Sequence, residues 1–161
     1  MVMDIESKTI GGNSLSFYLL RVLSDNSIIF VPTANAENVG IRPVISWIQC
    51  KKLIMRLSAD FEPVSCDWKT RSKHFGEQLR SGDVFEAADV LKKLTFLSLE
   101  KKLSFREQNL LDKSKFLIIS EITNAATSNE EVLSHEIDRL VDIACKKHLT
   151  TQPKVMSAAL H

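Results

Sequence analysis

The chain has little of what most enzymes and secreted proteins carry. It contains neither GxxxxGK[ST] nor GxGxxG, the patterns that cradle phosphates, and no HExxH for zinc. Its three cysteines, Cys50, Cys66 and Cys145, are an odd number without CxxC spacing. A disulfide framework or cysteine zinc site therefore has no support, and a reducing compartment fits. No apolar run approaches the ~18 residues of a membrane helix. The opening MVMDIESK has acids where a secretory signal needs a basic and then an apolar region. These absences predict a cytoplasmic protein with no membrane partner. An excess of one charge is missing too, since 21 Lys and Arg against 20 Asp and Glu leave +1. DNA cannot be held by bulk charge, only by a local cluster.

What is present is a change of period along the chain. Residues 2–7 read as a strand, and Thr9-Ile10-Gly11-Gly12-Asn13-Ser14 as a turn, because adjacent glycines admit positive φ. Residues 15–23 suit a buried strand. Asp25-Asn26 supplies the next turn, and Ile28-Ile29-Phe30-Val31 is a short β-branched strand closed by Pro32. Residues 35–40 make a further turn and 41–44 a last short strand. So few strands make a poor independent sheet. Either the sheet lies on helices, or a strand is missing or supplied by another chain.

From Ser46 the period becomes helical. Trp47, Cys50, Ile54 and Leu57 form one stripe, and residues up to 58 are assigned to the strand-rich unit with this helix closing it. Residues 59–66, containing Pro63, are the linker. Residues 67–148 read as a compact bundle of about four helices, placed by their caps. The first spans 67–80 and stops at Ser81-Gly82. Asp83 with Glu86, Ser104 with Glu107 and Ser128 with Glu131 then start three more as capping boxes. Past Lys147 the apolar pattern is lost, and residues 149–161 are expected to form a flexible tail. The fold class is α+β, a small antiparallel β unit followed by a helical bundle.

Catalytic constellations are scarce, so the chain is expected to be no enzyme and to need no cofactor or metal. Cys66 and His74, eight residues apart, could form a thiolate pair. A spacing this unspecific favours a half-buried cysteine and a surface histidine. His135, His148 and His161 lack partners at metal-ligand spacing and are read as exposed. The stretch 67–80, DWKTRSKHFGEQLR, is more telling. Trp68, Phe75 and Leu79 fall within about 40° on a helical wheel, with Lys69, Lys73 and Arg80 forming a second stripe. Periodicity favours Trp68 as a core residue. Its first-turn place beside Lys69 and Arg71 suits an aromatic wedge for a minor groove. Lys113 and Lys115, if alongside, would bring roughly three to five phosphate contacts, enough for weak, salt-dependent, sequence-nonspecific binding.

Val31-Pro32-Thr33-Ala34-Asn35-Ala36-Glu37-Asn38-Val39-Gly40-Ile41-Arg42 resembles the VPxxNAExxGxR signature of the CarD/CdnL transcription regulators. Ser7-Lys8-Thr9-Ile10 looks like the family's segment before its long hairpin. Asp67-Trp68-Lys69-Thr70-Arg71-Ser72-Lys73 is similar to the W-x-x-R-x-K start of its helical domain. Ser81-Gly82-Asp83-Val84 and Leu103-Ser104-Phe105-Arg106-Glu107 match the later helices in order and spacing, so the resemblance covers about residues 1–126.

The resemblance implies a Tudor-like N-terminal domain that binds the β subunit of bacterial RNA polymerase. It implies a C-terminal helical domain at the minor groove of promoter DNA, nonspecific in sequence, in a monomeric, nucleoid-associated protein. Carried over, Trp68 would be the wedge that stabilises the open complex at the upstream edge of the bubble. Lys69, Arg71, Lys73, Lys113 and Lys115 would be its phosphate contacts, and Lys8, Thr9, Ile10, Phe30 and Pro32 would face the polymerase. Family members carry about a further strand and turn before the position of Met1, so an incomplete Tudor-like barrel is expected. Phe30 stands where the family often has Arg or Met. The rival reading is a protein-only adaptor that binds its partner through the sheet, with a purely structural bundle.

Overall fold

A computed structural model describes residues 2–126 and 128–152, and of residues 2–4 and 10 the backbone only. The chain divides between Pro43 and Val44 into two compact units. The first is an antiparallel sheet of β1 (Val2–Ile10), β2 (Asn13–Arg21) and β3 (Ile28–Pro32), in that order. Gly11 and Gly12, at φ +59° and +80°, make the turn between β1 and β2, since positive φ at both positions matches a two-residue hairpin to the strand twist. Pairing therefore continues through Thr9↔Ser14 and Ile10↔Asn13, positions the sequence reading placed in the turn. The register puts Lys8, Phe17, Leu19, Phe30 and Pro32 on one face, and Ser7, Thr9, Ser16, Tyr18 and Val31 on the other. Among the described side chains of this unit only Ala36 is buried. Residues 41–44 form no strand, and Pro43 has no N–H to give to a ladder.

The second unit has five helices: α1 (Trp47–Leu57), α2 (Trp68–Arg80), α3 (Val84–Glu100), α4 (Phe105–Ala126) and α5 (Glu130–Thr151). α1 belongs here and not to the sheet unit, so the boundary lies at 43/44 and not in residues 59–66. Its inward stripe is Cys50, Leu53 and Leu57, all fully buried in one core with Phe75, Leu94, Ile118 and Ile137. Trp47, which the stripe through Ile54 placed inside, is 60% exposed. α3 is the central helix, touching α1, α2, α4 and α5, and it buries residues almost all round. Among the described residues no helix is long and apolar enough to cross a membrane.

The caps explain where the helices start. Ser46 and Gln49 form a reciprocal box at α1, and Ser104 and Glu107 another at α4, with bonds of 3.1 and 3.2 Å. Asp83 caps α3 by accepting from the Phe85 N–H, but Glu86 closes no box; it accepts the Ser81 hydroxyl at 2.6 Å instead. α5 is capped by Asn129 rather than Ser128, the amide oxygen accepting from the N–H groups of Glu131 and Val132. Gly82, at φ +77°, takes the left-handed position after α2.

The C-terminal end of α1 is fastened by distant side chains. Buried Lys92 donates to the carbonyls of Arg56 and Ala59 at 2.7 and 3.3 Å, and Lys147 to that of Ser58 at 2.8 Å. α5 runs on past the point where the apolar pattern fades. His148, expected on the surface, is 2% exposed, stacked on Phe61 at 4.0 Å, with Nδ1 2.7 Å from Asp60. Thr151 donates to the other Asp60 oxygen at 2.6 Å. Most of the expected tail, residues 153–161 with His161, lies outside the described residues.

Candidate nucleic-acid interface

α2 begins at Trp68 because Asp67 caps it. The Asp67 carboxylate accepts the Lys69 N–H at 3.3 Å and the Thr70 hydroxyl, and the Thr70 bond leads in holding its pKa below the usual range. Trp68 is thus the first helical residue. It shares a wheel angle with buried Phe75 and Leu79, yet it stands beyond the end of the core and is 59% exposed. The Lys69 ammonium lies 5.6 Å from its ring centroid. Lys73, one turn on, is exposed.

Arg71 is not part of that surface. It is 4% exposed, donating to the Ser65 carbonyl at 2.7 Å and to Glu107 at 2.5 Å. Glu107 is equally buried. Burial pushes the Glu107 carboxyl up, but the bonds from Arg71 and Ser104 outweigh it and hold the group below its ordinary value. Arg71 is thereby withdrawn from the expected phosphate contacts, because its guanidinium is consumed in positioning helices. The same carboxylate closes the first turn of α4 and ties it to α2.

That tie joins the N-terminal turns of α2 and α4 and brings in residues the sequence reading passed over. Phe105 is the first residue of α4, as Trp68 is of α2, and is 84% exposed. Arg106 beside it, and Lys101 and Lys102 in the preceding turn, are exposed too. The available signal was the S-x-x-E box itself, which places Phe105 just past a cap. Lys113 is exposed, whereas Lys115 is half-buried and bonded to Asp138 at 2.7 Å. Two residues apart on one helix, they point to different sides.

In the sheet unit, the Lys8 ammonium stands 4.5 Å from the centroid of the Phe30 ring, and Phe30 is 46% exposed. Pro32 is half-buried on the same face, exposed Thr9 is on the opposite one, and the Ile10 side chain lies outside the described residues. Cys66 is exposed, while burial pushes the Cys50 and Cys145 thiols up, Cys145 to about 11. Among the described residues no three His, Cys, Asp or Glu side chains gather to hold a metal ion.

The family model for the CarD C-terminal domain matches residues 52–138, more than half of the chain, beginning inside α1 and taking in Trp68, Arg71 and Glu107. The chain is also 26% identical over 122 residues to YdeB of Bacillus subtilis (strain 168), by its name a candidate transcription factor. That match spans 76% of this chain and 80% of YdeB. With the matched region covering the capped helices that carry the exposed tryptophan and the buried Arg71–Glu107 pair, the chain belongs to the CarD/CdnL family of transcription regulators.

Proposed function

We propose that the protein docks on the β subunit of bacterial RNA polymerase through its sheet unit, acting as the family's Tudor-like domain. Its helical unit then braces promoter DNA at the upstream edge of the bubble. The observation that carries this reading is Trp68, 59% exposed at a helix position whose wheel-mates Phe75 and Leu79 are buried. A rigid aromatic beside Lys69 and Lys73 suits a widened minor groove or an unstacked base step, with stacking of about 1–3 kcal/mol per base. Lys113 extends the phosphate contacts, and Lys115 adds less because Asp138 already holds it. Lys8 and Phe30, with Pro32 on the same face, form the polymerase-facing patch; Thr9, on the opposite face, and Ile10 are further contacts that the resemblance suggests.

The physical logic is coupling. Docking raises the local concentration of the helical unit at the promoter, so a weak and nonspecific DNA surface suffices. Trp68→Ala should shorten the open-complex lifetime in a promoter-dissociation assay while leaving polymerase pull-down intact; an unchanged lifetime would sink the wedge. The adaptor reading draws support from the two cations, Arg71 and Lys115, that are already paired. A salt titration of the polymerase–promoter complex separates the two, because an adaptor adds no DNA-dependent affinity.

A further inference from the structure

The helical unit holds two neighbouring cavities, of about 580 and 180 Å³, between the segment after α1 and helices α2 and α3. Both are lined by His74 on α2, Lys93 on α3 and Glu62. The larger has the size of a small-molecule site. They lie away from the Lys69–Lys73 stripe, because His74 and Gln78 are on a different side of α2.

Lys93 is the unusual member. As a whole residue it is 9% exposed, yet its ammonium is not sealed from solvent, and no hydrogen bond or ion pair holds it among the described residues. Its neighbour Lys92 shows what a buried lysine here normally has, with two carbonyls and Asp89 around its ammonium. Of the three acids at the larger cavity two are spoken for, and the third, Glu62, is exposed. Asp89 is shared between Arg56 and Lys92, and Asp60 is held by His148 and Thr151. Gln78 on the same wall has its amide oxygen buried without a donor. A lysine with a buried stem and an unpartnered ammonium, on one cavity wall with exposed His74 and the unpaired Gln78 amide oxygen, offers a cationic group to a ligand in the cavity.

We propose that this cavity binds a small molecule bearing one anionic group, a carboxylate or a phosphoryl, which Lys93 and His74 take while Gln78 bonds the polar remainder. Exposed Glu62 at the wall repels a second negative charge, so polyanions are disfavoured. Filling the cavity joins the end of α1, α2 and α3, and so couples occupancy to the helix that presents Trp68.

The test is calorimetric titration and thermal melting of the full chain with three probes, propionate, inorganic phosphate and adenosine 5′-monophosphate, against chloride at equal ionic strength. A saturable rise in melting temperature with a carboxylate or a phosphoryl probe, absent with chloride, is expected, and the probe that binds identifies which group the site takes. Lys93→Met should weaken that binding by about tenfold or more. Lys93→Arg should retain binding and shows that loss in the methionine variant is not misfolding. No probe binding tighter than about 10 mM, or equal binding by wild type and Lys93→Met, overturns the proposal.

Discussion

Glu107 is where α2, α4 and the residues before α2 are joined, so replacing it with glutamine is the sharpest test of how the helical unit is held. The substitution preserves shape but removes the charge facing Arg71. Both side chains are at most 5% exposed, 3% for Arg71 and 5% for Glu107. The variant has one acceptor oxygen where the carboxylate used two, one for Arg71 and one for the Ser104 N–H. The guanidinium would keep the Ser65 carbonyl, and its Nε already lacks a partner. Breaking a buried pair from one side costs about 3–5 kcal/mol, and the amide that remains puts the expectation near 3. Arg71→Met with Glu107→Leu should recover most of this, because no stranded charge is left. Urea unfolding followed by far-ultraviolet circular dichroism measures both. A Glu107→Gln change within about 0.5 kcal/mol of wild type, or a double variant equal to the sum of the singles, refutes the reasoning. The pH dependence gives a second check. The folded carboxyl lies below its ordinary 4.5, so its contribution is present above that value and is lost as pH falls through the folded value. The gap between wild type and Glu107→Gln should therefore close in acid.

Other outcomes follow from single side chains. His148→Leu should destabilise by about 2–3 kcal/mol, because it removes the imidazole bonded to Asp60 between Phe61 and Phe96; a change below about 0.5 kcal/mol contradicts the packing. The Thr151 hydroxyl first, then His148, hold the Asp60 carboxyl at about 2 against an ordinary 3.8. Its contribution is thus present above 3.8 and lost as pH falls toward 2, and Asp60→Asn should flatten that part of the melting curve. Iodoacetamide on the native protein should label Cys66 and spare Cys50 and Cys145, read by mass spectrometry; early labelling of Cys145 would contradict its burial. Phe105→Ala should leave stability within about 0.5 kcal/mol, given its exposure, but shorten the open-complex lifetime as Trp68→Ala does. An unchanged lifetime would remove Phe105 from the interface.

Much of this fold was legible because caps and turns are local. The Ser104–Glu107 box, Asp67 before Trp68 and the paired glycines at 11 and 12 depend on neighbours a few residues away. Where two local solutions compete, the sequence does not choose. Ser128 and Asn129 can both cap, and Asn129 does so because its amide reaches two N–H groups. The helix from Ser46 is legible but its buried face is not, since a stripe through Trp47 and Ile54 differs by less than a third of a turn from the one through Leu53. The candidate interface was half legible. The resemblance picked out Trp68, but nothing local tells a phosphate-binding arginine from one that meets a glutamate 36 residues later. His148 was hidden for the same reason, its partner Asp60 lying 88 residues earlier.

The fastening at the end of α1 bears on the order in which the protein is made. Lys147, His148 and Thr151 reach back across 89, 88 and 91 residues to Ser58 and Asp60. α1, α2 and α3 leave the ribosome before the last turns of α5 exist. During that interval the carbonyl of Ser58 and the carboxylate of Asp60 meet water, and Phe61 lacks the imidazole it stacks upon. The helical unit therefore closes start to end rather than growing turn by turn, and contacts of such long sequence separation place its completion late in folding.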